Sequence, residues 1–231
     1  MNKRETVRWL LVFVFAVAMA WIEAATVFYL RTLVGRVKPY QPDPLPAQGL
    51  LGTTELFREA ATLVMLAAVG WLAGSNRRSR LAYGVIAFGV WDIWYYIFLK
   101  QMTGWPSSWL DWDILFLIPL PWWGPVIAPL SISLLLVLSG TIMSQFDAPD
   151  RPIWPGNSTL SLGLLGISLC LFVFMADALA AVKRGPEAVR TVLPTQFNWP
   201  LFSLAMLLML VPVLDMARQL CRRLPKRRDL C

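Results

Sequence analysis

A set of charged and hydroxyl-bearing side chains lies inside or beside the apolar stretches of this sequence. Its members are Glu23, Glu55, Arg58, Glu59, Asp92, Tyr95, Tyr96 and Asp113. Ionisable groups are costly in hydrocarbon, and those that occur there commonly mark a ligand site, an ion pathway or a proton relay. Carboxylates combined with aromatic rings and hydroxyls are suited to binding a cation or a small cationic molecule. This set is therefore the predicted group of ligand-binding residues.

Three of the carboxylates are predicted to lie at a similar depth on three separate helices. At a rise of 1.5 Å per residue, Glu23 lies about 21 Å and Asp92 about 17 Å from the cytoplasmic edge of the membrane. Glu59, on a helix of opposite direction, lies about 24 Å from that edge. Close carboxylates in a low dielectric cannot all ionise, so a proton, water or a cation must compensate their charge. Oxygen ligands suit Mg²⁺, Ca²⁺ or Na⁺, which makes Glu23, Glu59 and Asp92 the predicted metal ligands.

The neighbours of these carboxylates define the rest of the predicted pocket. Glu55 shares a helical face with Glu59, and Arg58 is adjacent to both. Arg58 is predicted to fix the charge state of the acidic groups, with Glu55 and Asp113 at the mouth of the pocket. Two other interpretations stay open: Arg58 pairs with acidic groups only to hold helices in register, or one carboxylate acts in catalysis.

The composition identifies an integral membrane protein. Of 231 residues, 57% are hydrophobic and 15% are charged, and the mean hydropathy is +0.57. Charged residues make up about a quarter of typical soluble domains, so an ordinary water-soluble domain is excluded. The sequence has no His, and neither haem nor zinc is expected as a cofactor. The net charge of +7 is explained by membrane orientation, and no nucleic-acid partner is expected.

The apolar stretches predict an all-α, polytopic bundle of six transmembrane helices in a single domain, 1–231. The predicted spans are 9–34, 55–74, 81–100, 126–146, 160–182 and 198–220. Between the third and fourth spans, Ser108 to Asp111 has the pattern of a capping box. A helix that begins there meets Pro119 after about 15 Å, half the length of a crossing. Residues 109–118 are therefore predicted to form a short re-entrant or interfacial half-helix.

The distribution of basic residues predicts how the chain is oriented. Six spans place both termini on one side, and the larger share of the 21 Lys and Arg residues falls on that side. Both termini are therefore predicted to be cytoplasmic, in the cell inner membrane. The basic C-terminal tail is predicted to contact anionic lipid headgroups. Its members are Arg218, Arg222, Arg223, Lys226, Arg227 and Arg228.

The leading functional prediction is an outward-facing pocket that binds or transports a cation or small cationic molecule. The first alternative is a membrane-embedded enzyme that acts on a lipid-borne substrate, with one carboxylate as general base. The second is a non-catalytic subunit of a membrane complex, consistent with six short-looped helices and no soluble domain. No P-loop, GxSxG, HExxH or dinucleotide-binding motif occurs in the sequence.

Overall fold

Each predicted span is a helix, because a chain in lipid must satisfy its backbone hydrogen bonds internally. The computed structural model describes residues 3–35, 39–40, 50–146 and 152–223. Its long helices are α1 (Lys3–Leu33), α2 (Leu50–Ala73), α3 (Arg77–Thr103), α4 (Ile127–Gln145), α5 (Asn157–Val182) and α7 (Trp199–Arg223). A short helix, α6 (Pro186–Arg190), precedes α7. All six long helices are long and apolar enough to cross a membrane, which confirms the predicted all-α membrane bundle.

Local side-chain contacts fix where several helices begin and end. The Asn76 side chain accepts a hydrogen bond from the Ser79 N–H at 3.0 Å, and the Ser79 hydroxyl accepts one from the Asn76 N–H. This reciprocal cap begins α3 at the basic turn that separates it from α2. Gly104, with φ of 74°, ends α3 in the left-handed conformation that favours glycine.

The segment 109–118, predicted to be a half-helix, instead forms the first strand of a β-hairpin. Strand β1 (Trp112–Phe116) pairs antiparallel with β2 (Trp122–Pro125), and Asp113 lies opposite Gly124. The aromatic and β-branched residues of both segments favour strands. Pro119 and Pro121 lie in the turn between the strands, and proline supplies no N–H group for the hydrogen bonds of a helix.

The predicted capping box, Ser108 to Asp111, does not begin a helix. The Asp111 carboxylate accepts hydrogen bonds from the N–H groups of Ser107 (2.7 Å) and Ser108 (3.2 Å). It therefore stabilises a turn that precedes the strand, and no helix begins there. An apolar run of this length fits either a helix or a strand, so sequence periodicity alone does not separate the two.

The helices pack as two groups that meet at α4. Helix α3 packs against α1, α2 and α4, while α5 packs against α7, which also contacts α4. Small residues allow close approach: a Cβ at Gly70 of α2 would lie 2.6 Å from the Gly84 Cα of α3. At Gly163 of α5, a Cβ would lie 2.9 Å from the Pro212 ring of α7. These contacts are typical of helix interfaces in membranes.

Hydrogen bonds between distant parts of the chain define one end of the bundle. At the end that holds the first residues of α1, the Glu5 carbonyl accepts a hydrogen bond from the Gln145 amide at the end of α4. Arg223, at the end of α7, donates to the Pro152 carbonyl nearby. We call the opposite end, where the hairpin lies, the hairpin end. Of the basic tail, Lys226, Arg227 and Arg228 lie outside the described residues.

Candidate functional site

A cavity of about 140 Å³ lies at the hairpin end, between α1, α2, α3 and the hairpin. All but one of the predicted ligand-binding residues line it: Glu23, Glu55, Arg58, Glu59, Tyr95, Tyr96 and Asp113. Arg31 and Thr62, which were not among the predicted residues, line it as well. The structure thus brings together side chains that are far apart in the sequence.

One side of the cavity is an ion-pair network between α1 and α2. The Arg58 guanidinium donates to the Glu55 carboxylate at 2.8 Å from Nη2 and 2.9 Å from Nε. It also pairs with Glu23 of α1. The Thr62 hydroxyl donates to the second oxygen of Glu23 at 3.2 Å. One guanidinium thus pairs with two carboxylates on two helices, as expected if Arg58 holds α1 and α2 in register.

The opposite side of the cavity is a second, deeply buried ion pair. Asp113 of β1 is 1% exposed, and its carboxylate accepts a hydrogen bond from Arg31 of α1 at 3.1 Å. The Tyr96 hydroxyl of α3 donates to the other oxygen of Asp113, also at 3.1 Å. The Arg31 guanidinium lies 4.6 Å from the ring centroid of Trp105, a cation–π contact. Burial raises the pKa of Asp113 from its ordinary value, while the charge of Arg31 acts in the opposite direction.

Glu59 differs from the other carboxylates of the cavity. Its side chain accepts a hydrogen bond from the Leu117 N–H at 2.9 Å, in the turn between the two strands. Glu59 is 8% exposed. Among the described residues, no Lys or Arg nitrogen forms a salt bridge with Glu59, whereas each of the other three carboxylates has one. The cavity therefore holds four carboxylates and two guanidinium groups, an excess of two acidic groups, and Glu59 is the carboxylate without a salt-bridge partner among the described residues.

Aromatic side chains form the wall between the two ion-pair groups. The Trp91 and Tyr95 rings are stacked, with centroids 6.2 Å apart, and both line the cavity. Phe116 of β1 lies 6.4 Å from Trp91 between centroids. Trp123 of β2 completes this wall. The site therefore combines acidic oxygens with the faces of aromatic rings, an arrangement that attracts cations.

Asp92 is the predicted site residue that does not line the cavity. Its carboxylate accepts a hydrogen bond from the Ser133 hydroxyl of α4 at 2.8 Å, and both groups are buried. Helix α3 thus directs Asp92 toward α4, while it directs Tyr95 toward the cavity. The predicted metal ligands Glu23, Glu59 and Asp92 do not converge, and the described residues contain no group of three acidic or Cys side chains placed to hold a metal ion.

Two other groups of the cavity, the Arg31 side chain and the Leu117 N–H, were not predicted from the sequence. Arg31 follows Glu23 and Val27 at intervals of four residues, so helical spacing alone places it on the same face of α1. That spacing is visible in the sequence alone. The Leu117 amide has no such signal, because its position depends on the unpredicted hairpin. Comparison with protein-family models, curated proteins and solved structures finds no match to this chain.

Proposed function

We propose that this protein binds a small organic cation, such as a protonated amine, in the cavity at the hairpin end, as a receptor or as the binding step of transport. The proposed orientation places both termini in the cytoplasm and the hairpin end on the outer side of the cell inner membrane. The excess of Lys and Arg near the termini supports that orientation. In this orientation the ligand reaches the cavity from outside the cytoplasm.

The observation that carries the proposal is the excess of acidic over basic groups, centred on Glu59. A buried carboxylate without a counter-charge is costly, and a bound cation removes that cost. Glu59 accepts a hydrogen bond from the Leu117 N–H, which holds its carboxylate against the turn of the hairpin. The ion pairs of Arg58 occupy Glu23 and Glu55, so Glu59 is the carboxylate that would contact the ligand.

The size and walls of the cavity support an organic cation over a bare metal ion. Cavities near 150 Å³ hold a molecule about the size of benzene. The stacked Trp91 and Tyr95 rings provide the apolar and cation–π contacts that such a ligand needs. A metal ion requires several converging oxygen ligands, whereas an ammonium group requires only a few acceptors and an aromatic face.

The proposal is tested by thermal unfolding and titration calorimetry of the full-length protein in detergent. The probes are ethylammonium and benzylammonium, with benzyl alcohol as the neutral comparison. At 100 times its Kd, a bound ligand stabilises a protein by about 2.7 kcal/mol. We expect that stabilisation with an ammonium ion and much less with the alcohol.

Two variants separate the cavity from general electrostatic effects. Glu59→Gln removes the charge but keeps an oxygen to accept the Leu117 N–H, so the variant is expected to fold and to lose ammonium binding. Glu187→Gln removes an equal charge from exposed α6 and is expected to bind as the unmodified protein does. Equal ammonium binding by the Glu59→Gln variant, or equal stabilisation by benzyl alcohol, would refute the proposal.

A further inference from the structure

A second cavity, of about 530 Å³, lies on the outside of α3 at the hairpin end. It is bordered by α3, by the start of α4 and by the loop that precedes the hairpin. Its apolar walls are Ile93, Ile97, Trp109 and Leu130, and its polar rim includes Lys100, Gln101, Ser107 and Ser108. Tyr96 separates it from the cavity described above, since that side chain borders both.

The apolar and polar parts of this groove follow one another along the axis of α3. Ile93 and Ile97 are one helical turn apart, and Lys100 lies in the last turn of the helix. From Ile93 to Lys100 the helix rises about 10 Å. Ile97 is 38% and Trp109 65% exposed, so the apolar part opens toward the surroundings of the bundle. A ligand that fills the groove therefore needs an apolar end, directed toward the membrane centre, and a polar end near the membrane surface.

Lys100 determines the charge of the polar end. Its ammonium group donates to the carbonyls of Gly104 at 3.1 Å and Pro106 at 2.6 Å. An ammonium group has three N–H donors, so these two contacts leave a third for a ligand. Among the described residues, no carboxylate forms a salt bridge with Lys100. The two carbonyls hold a positive charge at a fixed position beside the apolar groove.

We propose that this groove binds one membrane phospholipid, with the phosphate group on Lys100. One acyl chain lies along Ile93, Ile97 and Leu130, with the Trp109 ring against it. The phosphate takes the third ammonium donor, and the Gln101 amide and Ser108 hydroxyl contact the glycerol region, because the Ser107 hydroxyl already donates to Asp111. The occupant is a phospholipid because the groove pairs a fixed positive charge at the membrane surface with an apolar surface below it. This inference does not depend on the cation site.

The proposal is tested by native mass spectrometry of the full-length protein in a mild detergent. The protein is mixed with phosphatidylglycerol or with diacylglycerol of the same acyl chains, and the fraction that retains one lipid is measured. We expect retention of phosphatidylglycerol and little retention of diacylglycerol. A Lys near the membrane surface contributes about 1 kcal/mol to binding of an anionic lipid, which corresponds to about a fivefold change in affinity.

Substitutions separate this groove from non-specific attraction of lipid. Lys100→Gln is expected to lower phosphatidylglycerol affinity about fivefold. Lys100→Arg is expected to keep the affinity for phosphatidylglycerol. Lys183→Gln, at the exposed end of α5, is expected to keep it as well. Ile97→Trp fills the apolar part and is expected to lower retention while Lys100 remains.

Three results would overturn the proposal. The first is an equal effect of Lys100→Gln and Lys183→Gln on lipid retention, whether both variants lose lipid or neither does. Lys100 would then serve only to bind the carbonyls at the end of α3. The second is equal retention of diacylglycerol, which means that the phosphate is not recognised. The third is a dimer mass that disappears in the Ile97→Trp variant, which assigns the groove to a second copy of this chain.

Discussion

The substitution Gly70→Ala tests whether close packing of α2 on α3 supports the proposed cation site. A Cβ at Gly70 would lie 2.6 Å from the Gly84 Cα and 2.9 Å from the Arg80 carbonyl oxygen. Both neighbours are backbone atoms, so a side-chain rotation does not relieve the clash. The two helices must separate by about 1 Å to restore ordinary contact near 3.5–4.0 Å.

The expected magnitude combines two opposing effects. Overpacking at a close interface costs about 1–3 kcal/mol. Replacement of a helical glycine by alanine favours the helix by about 0.5–1 kcal/mol. At the middle of the two ranges the net destabilisation is about 1 kcal/mol, which lowers the Tm of a chain of this size by about 2–4 °C. Because α2 carries Glu55, Arg58 and Glu59, ammonium binding is expected to weaken as well.

Gly84→Ala provides the matched control on the facing helix. A Cβ at Gly84 meets no atom within 4 Å, so the same chemical change there is free of steric conflict. We expect this variant to be as stable as the unmodified protein, or slightly more stable, with unchanged ligand binding. Thermal unfolding in detergent measures both variants under identical conditions. If Gly70→Ala and Gly84→Ala shift the Tm equally, the packing argument is refuted.

Three further changes test other contacts. Asp113→Asn leaves Arg31 buried without a counter-charge, so we expect a loss of about 3–5 kcal/mol in unfolding experiments. Asp177→Asn, at a partly exposed carboxylate of α5, is the comparison, and equal losses would contradict the importance of burial. Asp215→Ala removes a side chain that accepts the N–H at the start of α5, so hydrogen exchange there is expected to accelerate in line with about 1 kcal/mol. Ser107→Cys, in a background without the native cysteines, is expected to react with a membrane-impermeant maleimide in intact cells, and labelling only after lysis would reverse the proposed orientation.

Much of the fold and part of the site follow from the sequence because a helix has a fixed rise and the membrane has a fixed thickness. These two lengths place Glu23 and Glu59 at a similar depth, and both line the same cavity in the structure. Apolar runs of about twenty residues likewise predict the six long helices. The predicted boundaries differ by several residues because polar residues extend the helices beyond the hydrocarbon region.

The features that the sequence did not predict depend on the direction in which a side chain points, and not on its depth in the membrane. Asp92 has a suitable depth, but the rotation of α3 about its axis turns it toward Ser133. That rotation is set by which neighbouring helices pack against α3, which a single sequence does not specify. The hairpin was missed for a related reason, since the preference of residues 112–116 for a strand depends on pairing with residues 122–125.

The ion pair between Arg31 and Asp113 joins residues that are 82 positions apart in the chain. Ribosomes add about 5–20 residues per second, so Arg31 is made about 4–16 s before its carboxylate partner. During biosynthesis, α1, α2 and α3 are therefore all made while this guanidinium still lacks its counter-ion. The hairpin that closes the cavity is made after these three helices. Nascent chains released before residue 113 lack the buried carboxylate, and those released before Trp123 lack part of the aromatic wall, so the cavity is lined in full only after the hairpin has been made.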